Sequence, residues 1–82
     1  MTEIQIAEDQ LLDARGLLCP MPVVKTAKQM KTLEPGQVLK LLTTDRGSLA
    51  DIPAWAEQTG NEVVSSHEEG DHIVFLLRKG AA

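Results

Sequence analysis

The stretch QLLDARGLLCPMPVVKTAKQM, residues 10–30, predicts a strand, a connection and a helix in immediate succession. The first strand is expected within roughly residues 4–14 and ends on QLLDA. A helix is expected from Pro20 to about Leu33, because apolar side chains recur there at helical spacing. Its apolar face is formed by Val23, Val24, Ala27 and Met30, and its polar face by Lys25, Lys28, Gln29 and Lys31.

The rest of the chain predicts three more strands and one more helix. The segment VLKLLTT, residues 38–44, is apolar and partly β-branched, as expected of a covered strand. Ser48 and Asp51 form an S-x-x-D helix-start signal; this helix continues to about Thr59, with Gly60 at its C′ position. The segments EVVSSHE and HIVFLLRK flank the turn EGD and predict a hairpin.

This order, β-α-β-α-β-β, predicts an α/β (α+β) two-layer sandwich. A small mixed four-stranded sheet with both helices on one face is the simplest way to bury every apolar face. Trp55 and Phe75 are expected in the core. A chain of 82 residues suits one domain, residues 1–82, with an ordered core at about 10–80.

The amino-acid composition indicates where the protein is located and which kinds of partner it binds. A single cysteine permits no internal disulfide, no segment approaches the roughly 20 apolar residues of a membrane helix, and the N-terminus lacks a secretory pattern. We therefore expect a cytoplasmic protein, monomeric and without a cofactor. The net charge of −4 and the scarcity of aromatic rings argue against direct nucleic-acid binding. The stripe formed by Lys25, Lys28 and Lys31 is interpreted as a solvated helix face or as a docking surface.

The single cysteine, Cys19, stands between the predicted strand and helix and directly before Pro20. Residues before proline avoid the helical conformation, so Cys19 is expected at about the N-cap, with Pro20 at N1 and Pro22 at N3. The positive end of the helix dipole would then lower the pKa of the thiol from about 8.5 towards about 7 to 8. Arg15 would add to this effect if the loop brings it near the sulfur.

Several chemistries are disfavoured for this cysteine, and an inert buried thiol remains the alternative to a reactive one. One cysteine with His67 and His72 does not give zinc-ligand spacing, so no metal site is expected, and both histidines are expected in solvent. A dithiol needs a second cysteine. A cysteine hydrolase needs a general base close to the thiol, and the sequence identifies no residue as that base. Carrying sulfur itself requires only one accessible, nucleophilic cysteine.

The segment LDARGLLCPMPVVKT resembles the signature of the TusA/SirA family of sulfur-carrier proteins, with its Asp, Gly and C-P-x-P box. DIPAWAEQTGNE and FLLRKG are similar to later segments of that family, so the resemblance extends from about Leu11 to Gly80. It implies the two-layer α/β fold and the role of a persulfide-forming nucleophile for Cys19. Four further roles carry over with it: Pro20 and Pro22 as positioning residues, Gly16 as a turn residue and Asp13 as a structural support.

The resemblance implies a sulfurtransferase that accepts sulfane sulfur from a donor protein, a cysteine desulfurase or rhodanese, and passes it to an acceptor protein. Relatives serve tRNA thiolation, molybdenum-cofactor assembly or sulfur oxidation. A non-catalytic regulatory module and an RNA-binding module of the same fold are the alternatives. The residues expected to act on the thiolate or at the partner surface are Arg15, Met21, Lys28 and Lys31, with Leu17 and Leu18 as apolar neighbours.

Overall fold

The computed structural model describes residues 8–80. It contains the six predicted elements in the predicted order: β1 (Gln10–Ala14), α1 (Met21–Met30), β2 (Val38–Thr43), α2 (Ser48–Thr59), β3 (Glu62–Glu69) and β4 (His72–Arg78). The strand bounds agree closely with those predicted, although residues 4–7 of the first predicted strand lie outside the described residues. No helix within residues 8–80 is long and apolar enough to cross a membrane.

The four strands form one mixed sheet in the order β1-β2-β4-β3. β1 and β2 are parallel because α1 connects them as a crossover, and β4 pairs antiparallel with both β2 and β3. Since β1 and β2 run in the same direction, the segments that follow them emerge at the same end of the sheet. These two segments contain the site described below.

The core lies between the sheet and the two helices, which contact each other and the sheet. Leu39, Leu41, Phe75 and Leu77 alternate along the two central strands and are fully buried against Ile52 of α2. Trp55, expected in the core, is half-buried and packs against the edge of this cluster. The two-layer sandwich predicted from the sequence is confirmed.

The first helix is shorter than predicted, and its buried face agrees only in part with the predicted one. It begins at Met21 with Pro20 as the N-cap residue and ends at Met30, so Pro22 lies at N2 and Cys19 lies one residue before the cap. The buried row is Pro22, Thr26 and Met30, spaced four residues apart, whereas Val24 is 47% exposed. The predicted apolar face was right for Met30 and for Val23, which packs against the core, but it included the exposed Val24 and left out the buried Pro22 and Thr26.

The second helix has the predicted bounds but a different start. Gly47 is its N-cap residue, and no side chain caps it. The Ser48 hydroxyl instead donates to the carbonyl of Asp45 at 2.7 Å and lies 2.7 Å from Thr43 Oγ1, so the capping box predicted for Ser48 and Asp51 does not form. At the other end, Gly60 adopts the left-handed conformation (φ 77°) expected at a helix C-terminus.

A cysteine between the starts of two helices

The loop between β1 and α1 is tied to the end of β2. Gly16 has a φ of +85°, a conformation that favours glycine, and its N–H donates to Thr44 Oγ1 at 2.8 Å. This contact brings the following residues towards the segment 44–47, which leads into α2. Cys19 consequently lies beside the first residues of α1 and of α2 at once.

The half-buried Cys19 contacts two acidic residues from the α2 side. Its backbone N–H donates to Asp45 Oδ2 at 3.0 Å, and its thiol donates to Asp51 Oδ2, also at 3.0 Å. Asp45 lies in the loop before α2, and Asp51 lies in the first turn of that helix. The thiol is therefore placed against two carboxylates, an environment that favours its protonated form.

Gly47 provides the space that this arrangement needs. Its backbone is right-handed (φ −61°), so the conformation itself does not require glycine. A Cβ at this position, however, would lie 3.3 Å from Cys19 Sγ and 3.2 Å from Asp45 Oδ2. The absence of a side chain at Gly47 lets the thiol and the Asp45 carboxylate approach the start of α2.

The acidic environment raises the pKa of the Cys19 thiol to about 12, with Asp45 as the larger cause and Asp51 as the next. The predicted lowering of this pKa was wrong for two reasons. First, the sequence did not show the carboxylates. Second, the start of α1 has few free N–H groups: Pro20 and Pro22 have none, and the N–H of Met21 donates to the Leu18 carbonyl at 2.9 Å. The peptide bond between Cys19 and Pro20 is cis.

Two other residues singled out in the sequence, Asp13 and Arg15, contact each other. Arg15 pairs with Asp13 through Nε–Oδ1 and Nη2–Oδ2 contacts of 2.9 and 2.8 Å, and this pairing lowers the pKa of Asp13 to about 2. The guanidinium of Arg15 is thus engaged by Asp13 rather than by the thiol. Asp13 also accepts the backbone N–H of Arg15, as a residue that supports the turn would.

Exposed apolar side chains flank the cysteine. Leu18 is 73% exposed and Met21 is 42% exposed, and Leu49, in the first turn of α2 between Gly47 and Asp51, is 37% exposed. Leu17, by contrast, packs against the core. The lysine stripe of α1, formed by Lys25, Lys28 and Lys31, is exposed.

Both histidines lie at the hairpin, away from the cysteine. His67 is exposed, and its Nε2 lies 2.8 Å from Glu69 Oε2. His72 is partly buried, and its Nδ1 lies 3.1 Å from Asp71 Oδ1. The structure brings neither of them to Cys19.

Sequence reasoning missed Asp45 and Gly47 and misassigned Asp51. The first two belong to the polar loop TDRGS, and Asp51 carries the same signal as an ordinary helix start. The contacts of Asp45 and Asp51 with Cys19 span 26 and 32 residues. No local pattern marks such contacts, and only the parallel pairing of β1 with β2 makes them predictable.

The fold and the site together define a class of protein. Its members are two-layer α/β proteins that present one cysteine directly before a helix, and prolines stand on both sides of the first residue of that helix. The family model for Sulfurtransferase TusA matches residues 10–79, and the chain therefore belongs to this family. Membership confirms the resemblance seen in the sequence and supports a role in sulfur transfer, with sulfur-donor and sulfur-acceptor proteins as partners in general terms.

Individual relatives agree with the family. The chain is 53% identical over 70 residues to the putative sulfur carrier protein YrkF of Bacillus subtilis, covering 85% of this chain but only 38% of that longer protein. It is 48% identical over 71 residues to the sulfur carrier protein TusA of Allochromatium vinosum, covering 87% and 93% of the two chains. The crystal structure of a SirA-like protein from Desulfitobacterium hafniense superposes with a TM-score of 0.76 at 26% identity, covering 87% of this chain and 97% of that one.

Proposed function

We propose that this chain is a cytoplasmic sulfur carrier that holds sulfane sulfur as a persulfide on Cys19. The observation that carries the proposal is the placement of the chain's one cysteine: Cys19 is partly accessible, and its chain neighbours Leu18 and Met21 are exposed. A buried structural cysteine needs no such rim. An apolar rim with charged residues beyond it is typical of a contact surface between proteins.

The reaction moves one sulfur atom between two cysteines. Cys19 Sγ attacks the outer sulfur of a persulfide on the donor protein, forming a new S–S bond. The S–S bond of the donor breaks, and its electron pair leaves with the donor's cysteine sulfur, which takes up the proton lost by Cys19. A Cys19 persulfide and a donor thiol result, and transfer to the acceptor repeats the step with the roles exchanged.

The surface around Cys19 suits the sequential docking of two proteins. The outer sulfur of a persulfide extends only a bond length beyond Sγ, so the partner's cysteine must reach the carrier's own surface. Pro20 and Pro22 fix the segment that presents Cys19, with Pro22 anchored in the core. Leu18 and Met21 supply apolar contact area directly beside the reacting sulfur.

The intact mass of the protein after incubation with a persulfide-loaded cysteine desulfurase tests this proposal. We expect a gain of one sulfur atom that a reductant reverses. The matched variant Cys19→Ser should show no gain while keeping the wild-type far-UV circular dichroism and melting temperature. Failure of the wild-type protein to load, with its fold intact, would contradict the proposal and favour a non-catalytic module of the same fold.

A further inference from the structure

The thiol of Cys19 is held in an environment that opposes the reaction proposed for it. The nucleophile in sulfur transfer is the thiolate, yet Asp45 and Asp51 stabilise the protonated thiol. Either a docked partner neutralises the two carboxylates, or one of the carboxylates accepts the proton of the Cys19 thiol when the reaction begins. Their different contacts distinguish the two acids.

Asp45 interacts with backbone N–H groups as well as with the thiol. Its Oδ2 accepts the N–H of Cys19 at 3.0 Å. The Cys19 thiol, this N–H and the N–H of Gly47, in that order, hold the pKa of the Asp45 carboxyl below its usual range. A carboxylate stabilised by backbone N–H groups is a poor proton acceptor. Asp45 therefore positions the cysteine and remains ionised.

Asp51 has a different set of contacts. Among residues 8–80, the hydrogen bond that its carboxylate makes is the one from the Cys19 thiol, at 3.0 Å. Its side chain is exposed in the first turn of α2. It thus touches the reacting sulfur and lies within reach of a docked partner, which meets the geometric requirement for a general base.

We propose that Asp51 is a further catalytic residue, which accepts the proton of Cys19 Sγ during attack and delivers it to the departing cysteine sulfur of the donor. The inference rests on the proposed persulfide function. The balance is complete without another reactant: one S–H bond of the carrier is lost, one S–H bond of the donor is gained, and Asp51 ends in the protonation state in which it began. In the reverse sense the same carboxylate serves the transfer to the acceptor.

Asp51→Asn separates this role from a purely electrostatic one. The amide removes a negative charge beside the thiol, so alkylation by iodoacetamide at pH 7 should become about tenfold faster for each pKa unit that is lost. Sulfur transfer from a persulfide-loaded cysteine desulfurase should nevertheless become about a hundredfold slower, within the range for loss of a general base. Asp51→Glu, which retains a carboxylate, should restore part of the transfer rate.

The matched control is Asp45→Asn, whose amide oxygen can still accept the Cys19 N–H. Because it lowers the negative charge without removing the proton acceptor, it should raise both rates. Faster transfer in Asp51→Asn would show that Asp51 only suppresses the thiolate, and a loss of both rates would show a structural role. Either result overturns the inference, whereas a wild-type protein that never loads would overturn the proposed function instead.

The wild-type pH profile provides a test without substitution. Alkylation should rise about tenfold per pH unit across neutral pH, since the pKa of the thiol is raised to about 12. Transfer should instead be nearly level there, because a reaction assisted by a general base does not depend on the fraction of thiolate already present. Transfer that rises in parallel with alkylation would overturn the role of Asp51.

Discussion

At the scale of single residues, the polar groups of this small core differ in how well they are satisfied. Thr43 and Ser48 are both fully buried, and the Thr43 hydroxyl lies 2.7 Å from Ser48 Oγ, which itself donates to the Asp45 carbonyl. Thr26 is equally buried, but its hydroxyl has no hydrogen-bond partner within the described residues. The free energy of unfolding should respond in opposite directions when the two threonines lose their hydroxyls.

Thr26→Val and Thr43→Val form a matched pair of nearly equal shape. Thr26→Val should raise the free energy of unfolding by about 1 kcal/mol, because it removes a buried group that lost its hydrogen bonds to water on folding. For a domain of this size the melting temperature should rise by about 4–8 °C. Thr43→Val should lower the free energy of unfolding by about 1 kcal/mol, because it breaks a satisfied hydrogen bond.

Urea denaturation of the three proteins checks this prediction. Thr and Val have similar helix propensities and are both favourable in strands, so propensity does not bias the comparison. A loss of stability in Thr26→Val equal to that in Thr43→Val would contradict it, and would show that the Thr26 hydroxyl has a partner in solution.

At the scale of elements, local sequence signals were sufficient for the order and bounds of the strands and of α2. The Pro-Gly turn at residues 35–36, the EGD hairpin and Gly60 after α2 can each be recognised from a few neighbouring residues. The buried face of α1 was predicted only in part in this way, since it depends on how the helix rotates against a sheet and a second helix. The acidic partners of Cys19 were missed for the same reason: they lie 26 and 32 residues away.

The two helices each contain a proline whose effect follows from its position. Pro22 lies at N2 of α1, where the missing N–H has no helical partner, and its ring is buried. Pro53 is the sixth residue of α2 and is exposed, so it removes the hydrogen bond that would join its N–H to the Leu49 carbonyl. The same substitution should therefore have opposite effects in the two helices.

Pro22→Ala should lower the free energy of unfolding by about 1–2 kcal/mol, because two buried methylene groups are lost at about 0.8 kcal/mol each. Pro53→Ala should raise it by about 1 kcal/mol, because the regained hydrogen bond and the better propensity of alanine exceed the entropy gained by the unfolded chain. Thermal and urea unfolding measure both changes. Equal losses in the two variants would show that Pro53 packs against the fold in a way its exposure does not indicate.

At the scale of the whole molecule, charge is distributed unevenly around the cysteine. The net charge is −4, and two of the acidic side chains lie at the thiol itself. The lysine stripe of α1 begins at Lys25 and continues away from that acidic site, with no ion pair to any of its three lysines within residues 8–80. A partner whose acidic groups face the stripe would be oriented with its reactive cysteine towards Cys19.

Lys28→Glu tests whether the stripe orients a partner. Lys28 lies nine residues after Cys19, about 13 Å along a helix, so its charge should act on association rather than on the thiol. Reversal changes the charge by two units, worth about 0.8 kcal/mol at about 10 Å in water, and association with an acidic partner should slow about fourfold at low salt. The difference should fade as ionic strength rises.

Lys40→Glu is the matched control, since it changes the net charge equally but lies on β2, in the sheet layer rather than on α1. Stopped-flow measurement of sulfur transfer from a persulfide-loaded cysteine desulfurase, at low and high salt, compares the two variants with the wild-type protein. Lys28→Glu should be slower than Lys40→Glu at low salt, while both react with iodoacetamide at the wild-type rate. The same should hold in weaker form for Lys31→Glu, one turn further from the cysteine. Equal transfer rates for all the variants at low salt would show that the lysines form only a solvated face of α1, and that the apolar rim around Cys19 suffices for docking.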